Sequence, residues 1–285
     1  MRHLILIPAL VASGLALSGC ANKDKKAEET VERAFQDVNV VDESNLNDVM
    51  LTVADPNEAV SYFTRATKAA PGRIDLQRGL ALSLVRAKRN TEGAVAWSKV
   101  TAMPGATAED KVNLADALIR NGEWKRSEAT LDAIPPTYET FQRYRLEAMV
   151  ADANKEWQKA DSYYEIAVGL TTTPSGVMNN WGFSKLTRGD YAGAERLFGE
   201  AIRQDPTLYT AKNNLVLARG AQRVYTLPVV PMTQIERAQL LHTMALTAVK
   251  QGDVQTGEAL MREAINTPPQ HFEEAARSLQ ALENG

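Results

Sequence analysis

Cys20 is the one cysteine in a chain of 285 residues, and it closes an apolar run behind the small pair Ser18 and Gly19. A thiol is a nucleophile once ionised, and without a second cysteine it has no internal disulfide to form. Other patterns that carry chemistry are missing from the sequence. There is no Gly-x-Ser-x-Gly turn, no phosphate-binding glycine loop and no His-Glu-x-x-His pair. His242 and His271 stand far apart without ligand spacing and read as surface or satisfied helix residues. The acidic residues are distributed as solvated helix faces are, so no catalytic residue, metal ligand or bound cofactor is expected. An acid pair assembled by the fold is the remaining route to an enzyme.

The residues ahead of Cys20 say what its thiol is for. Arg2 and His3 make a short basic start, Leu4 to Leu17 is almost uninterruptedly apolar, and Leu17, Ser18, Gly19 and Cys20 end it. Charge order and length are those of a secretory signal. The run is shorter than the roughly 18 to 20 apolar residues that a spanning helix needs. Its end resembles the lipobox of bacterial lipoproteins. That resemblance implies that residues 1–19 are removed and that Cys20 becomes the diacylated N-terminus, with covalent lipid as the only added group. Several acyl chains anchor a protein without further help. Ala21, by the same resemblance, favours sorting to the outer membrane, with the body facing the periplasm.

Behind Cys20, residues 20–43 are rich in Lys, Glu and Asp and read as a tether, with room for a short helix from Ala27 to Phe35. The net charge of -3 supplies none of the basic surplus that nucleic-acid binding uses. The hydrophobic content of 44% is enough for a packed core, in a globule or in an elongated array.

From there the signal is self-similarity. Ser175 to Leu208 resembles the 34-residue tetratricopeptide repeat: Gly182 in a first helix, Gly189, Asp190 and Tyr191 in the turn, then Ala194, Phe198, Ala201 and Pro206. Met178, Trp181 and Lys185 depart from the usual first-helix residues. Physically, Gly182 and Ala194 are small where two helices cross closely. Gly189 reverses the chain at positive φ, and Pro206 stops the second helix. Phe198 and Trp181 are expected to fill the space between adjacent hairpins.

Weaker copies follow at the same period. Phe141 to Pro174 carries Ala148, Trp157, Ala160, Tyr164 and Ala167; Ala108 to Pro136 carries Leu114, Ala115, Gly122, Trp124 and Leu131, with Ser127 in place of a small apolar residue. Asp75 to Thr107 is degenerate but keeps Ala94. Ahead of it, Ala59, Phe63, Ala66 and Pro71 mark a second helix, and Ser44 to Val53 offers a first. An array over 44–221 thus leads into a proline-containing connector, 222–237, which cannot be regular helix. The final segment, 238–285, holds one more repeat, with Ala245, Gly252, Asp253, Met261, Ala264 and Pro269, and a capping helix from Phe272 to Leu282. The expected fold class is all-α, a tetratricopeptide-repeat superhelix (α-solenoid) after the signal peptide and tether.

In that family the first helices line a concave groove. Carried over residue by residue, the resemblance places Arg145, Asn179 and Asn213 on one line and Met149, Phe183 and Leu217 on a second, with Asn180 and Asn214 beside them. Amides both donate and accept, so such a ladder suits the backbone of an extended or helical segment of a partner protein. The plainer alternative is that Asn180 and Asn214 brace the helices, as Asn113 would, and that Met149, Phe183 and Leu217 belong to the core.

The stretch from Tyr225 to Met232 and the run Gln239, Leu240, Leu241, His242, with the lipobox and the repeats, is similar to the TadD-like lipoproteins of the Tad (Flp) pilus assembly system. This implies a pilotin or assembly adaptor whose protein partner is the secretin or another Tad pilus component. An adaptor for peptidoglycan hydrolases or for outer-membrane protein assembly is the alternative.

Overall fold

The computed structural model describes residues 46–267 and 272–283, and among them every regular element is a helix. Cys20 with its lipobox, the tether and its short helix, Ser44, Pro269 and His271 lie outside the described residues. The chain has an all-α, tandem-hairpin solenoid fold, divided into two compact units at Ala87 and Lys88. The degenerate repeat expected from Asp75 to Thr107 therefore straddles two units.

In the first unit, helix α1 covers 46–52, followed by α2 (Pro56–Ala69) and α3 (Ile74–Arg86). Asp55 starts α2 as an N-cap, accepting from the backbone N–H of Asn57 and Glu58, with Pro56 at the first helical position. Arg86 donates to the carbonyls of Met50, Leu51 and Ala54 at 3.0, 2.6 and 3.1 Å. These groups at and beyond the end of α1 would otherwise lack partners. Phe63 is buried against the backbone of Gly79.

The second unit runs through α4 (Asn90–Thr101), α5 (Ala108–Arg120), α6 (Trp124–Asp132), α7 (Phe141–Ala153), α8 (Trp157–Gly169), α9 (Ser175–Thr187) and α10 (Tyr191–Gln204). It continues with α11 (Tyr209–Ala221), α12 (Gln234–Lys250), α13 (Val254–Asn266) and α14 (Glu273–Glu283). One backbone device recurs at the hairpin turns: Gly122, Lys155, Gly189 and Gly252 all take positive φ. The following N–H then reaches back five residues, Asp190 to the Lys185 carbonyl at 2.9 Å and Glu156 to that of Ala151 at 2.8 Å, which closes the helix end.

Each hairpin buries its small residues at the crossing. Gly182 and Ala194 are both buried, and Phe198 fills the space opposite Gly182 within its own hairpin while also packing on Ala211, Leu215 and Ala218 of α11. Trp181 reaches the preceding hairpin, as expected. Ser127 needs no apolar substitute, because its buried hydroxyl donates to the Ala115 carbonyl at 3.1 Å.

The repeat is interrupted after α11. Arg223 makes the same positive-φ turn as the glycines, with Val224 N–H bonded to the Arg219 carbonyl at 3.0 Å, but Pro228 and Pro231 follow and no second helix forms. The chain instead lies along its neighbours. Tyr225, Leu227 and Met232 pack on Val216, Leu240 and Met244, and Val230 packs on the cluster around Phe198. The next helix begins at Gln234, inside the stretch expected to be connector, because Thr233 and Glu236 form a reciprocal capping box there.

Candidate partner-binding cleft

The cleft of interest is built by helices of successive repeats, α6 to α9 and α11. Side chains four apart on one helix face share a surface, so Met149 and Ala153 of α7, Asn179, Phe183 and Thr187 of α9, and Thr210 and Asn214 of α11 line one open space. Trp124 of α6 and Trp157 and Tyr164 of α8 complete its walls, enclosing about 540 Å³. Phe183 is 49% exposed although it is a large apolar side chain at the centre of this surface. Exposed aromatic area in a concave site is a common mark of binding surfaces.

Five of the expected groove residues meet in this cleft: Met149, Asn179, Asn180, Phe183 and Asn214. The amides pair with one another before meeting any partner. Asn214 Nδ2 donates to Asn179 Oδ1 at 3.0 Å, a bond that uses neither the Asn179 amino group nor the Asn214 carbonyl. Asn180 Nδ2 lies 4.0 Å from Met149 Sδ. The Asn214–Asn179 bond links α11 to α9, so this pair braces the two helices.

Three expected residues do not line this cleft. Arg145 donates to Asp116 Oδ1 at 3.3 Å and is held on the side of the preceding hairpin. Asn213 accepts from Thr243 Oγ1 at 2.9 Å, since the missing second helix brings α12 beside α11. Leu217 lies one turn beyond Asn213, past the point where the cleft ends at Asn214.

Asp152 is the residue that sequence reading passed over. It projects into the cleft half-buried, and both its oxygens are engaged by neutral donors. Ser184 Oγ donates to Oδ1 at 2.6 Å and Tyr164 OH to Oδ2 at 2.8 Å. Burial pushes the Asp152 carboxyl above the usual carboxylate range, against the opposing pull of these two bonds and of Arg188. Tyr164 is itself buried, and burial together with the neighbouring carboxylate pushes its phenol far up. Its ring stacks on Trp181 at 6.1 Å between centroids. Trp181 Nε1 donates to Asp161 Oδ1 at 2.5 Å, and Arg188 Nη2 bridges both Asp161 oxygens at 2.7 and 2.8 Å. The available signal was Asp152's place three residues after Met149, on the same helix face.

Among the described residues no group of three or more His, Cys, Asp and Glu is placed to hold a metal ion, and no helix is long and apolar enough to cross a membrane. His242, the histidine of α12, contacts Ser278 and Phe272 of the C-terminal segment and lies outside the cleft.

No protein-family model matches the sequence, and no curated protein matches it. Solved structures do match in fold. A chain of the APC/C hetero-tetramer Cut9–Hcn1 aligns with a TM-score of 0.60 at 13% identity over 83% of this chain, which spans 48% of that one. PilW, a widely conserved type IV pilus biogenesis factor, aligns with a TM-score of 0.57 at 15% identity, covering 84% of this chain and 96% of its own. A tetratricopeptide repeat protein from Parabacteroides merdae gives a TM-score of 0.55 at 13% identity, covering 90% and 98% respectively. At such identities the likeness shows the fold.

Proposed function

We propose that this chain is an outer-membrane-anchored adaptor that faces the periplasm and holds a segment of a partner protein in its α7–α11 cleft during assembly of a Tad (Flp) pilus or its secretin. The observation that carries the reading is the cleft itself: exposed Phe183 beside a half-satisfied amide pair, Asn179 and Asn214. Apolar surface supplies affinity and the amides supply register along a backbone. The lipobox ending in Cys20 supports the anchor, and the shared fold with the type IV pilus biogenesis factor PilW accords with a pilus role. An anchored adaptor raises the local concentration of whatever its cleft holds at the membrane surface.

The test places a photo-crosslinking amino acid at Phe183 in the full-length chain in its own cell. A crosslink to the secretin or another pilus component, lost on Asn179→Ala, supports the reading; a crosslink to a peptidoglycan hydrolase or an outer-membrane assembly protein overturns the pilus assignment. The anchor is tested separately. Wild type should take up labelled palmitate and Cys20→Ala should leave the membrane fraction; equal membrane retention of both overturns it.

A further inference from the structure

We propose that the cleft's occupant is an apolar segment of the partner protein carrying one lysine or arginine, whose cationic head pairs with Asp152. This rests on the reading of the cleft as the partner-binding site and specifies the chemistry it selects. Among the described residues, Asp152 is the single charged side chain lining the cleft. The walls around it, Met149, Trp157 and Phe183, are apolar or aromatic.

The surrounding cations are already committed. Arg188 spans both oxygens of Asp161, Lys185 lies 3.0 Å from Asp190, and Arg145 is paired with Asp116. Asp152 receives only the hydroxyls of Ser184 and Tyr164, and a carboxylate has about four lone-pair sites. Acceptor capacity therefore remains on a half-buried anion that has no direct cationic partner among the described residues. Such a group is costly alone and becomes favourable when an incoming cation compensates it. The long methylene stem of a lysine or arginine suits the apolar walls while its head meets the carboxylate. An acidic segment would set like charge against Asp152, so the same residue excludes the wrong partner.

The experiment selects twelve-residue peptides from a random display library on the full-length chain. A selected peptide is then compared with its lysine-to-norleucine counterpart on wild type, Asp152→Asn and Phe183→Glu. Enriched peptides are expected to combine apolar residues with a basic one, and norleucine is expected to weaken binding to wild type by about tenfold. The preference should fall below about twofold on Asp152→Asn.

The wild-type ratio decides even if that variant folds poorly. It should also shrink as the pH is lowered and Asp152 takes up a proton, with Arg188, Asp161, Tyr164 and Ser184 the groups that face it. Peptides enriched without a basic residue, or a norleucine peptide that binds wild type equally, overturn the proposal while sensitivity to Phe183→Glu preserves the cleft. Insensitivity to Phe183→Glu, or no enriched peptide at all, overturns the cleft reading and the proposal together.

Discussion

The ammonium of Lys212, only 2% exposed on α11, lies 3.0 Å from Oε1 of Glu236 in the first turn of α12. This pair spans the connector that replaces a second helix, and the same carboxylate accepts from the Thr233 N–H at 2.7 Å through Oε2. The capping bond from the Thr233 N–H, followed by Lys212, holds the Glu236 carboxyl below the usual range. Loss of the pair would free both the connector and the start of α12.

Removing either partner should therefore have unequal effects. Glu236→Ala leaves a buried ammonium and the Thr233 N–H without its acceptor, and should cost about 2–4 kcal/mol. Lys212→Met fills the same space with apolar atoms and should lie within about 1 kcal/mol of wild type. Denaturant unfolding of the two variants checks this; equal losses would mean that the pair contributes only packing.

A methyl group on Gly182 would lie 2.7 Å from Cε1 of Phe198, well inside contact distance. Gly182→Ala should destabilise by about 1–3 kcal/mol through overpacking, despite alanine's better helix propensity. Adding Phe198→Leu to the same chain should recover part of the loss, as melting of the single and double variants would reveal. An additive double variant would show that the two residues do not share this space.

His242 gives the C-terminal end a pH dependence. Its Nε2 lies 3.0 Å from Ser278 Oγ and its ring meets the edge of Phe272. Burial lowers its pKa, while Glu274 pulls the other way. Between the depressed folded value and the unfolded value near pH 6.5, the unfolded chain binds more protons. Stability should thus be complete above about pH 6.5 and decline as the pH falls below it. Amide exchange in α14 should quicken on going from about pH 7.5 to 5.5 relative to intrinsic rates, and His242→Gln should flatten that response. The same response in both chains would assign it to other groups.

Much of the fold was legible because its determinants are local. Gly182, Gly189, Ala194 and Phe198 state a period, a turn and a close crossing within one hairpin, and the same spacing locates the neighbouring hairpins. Pro228 and Pro231 announced the interruption, since a proline's missing donor acts wherever the chain goes. The capping box at Thr233 and Glu236 is legible in residue type, and it ends the connector four residues before the expected bound at 237.

By itself the sequence determined the repeating all-α hairpins and the amide and apolar positions of their first helices. Only the tertiary structure decided which of those positions share a cleft. The carboxylate of Asp152 owes its surroundings to Tyr164 and Ser184, 12 and 32 residues away, while Arg145 and Asn213 are taken up by Asp116 and Thr243 on neighbouring hairpins. Helical period fixes the face on which a side chain stands. Its burial, charge environment and partners depend on how the hairpins stack.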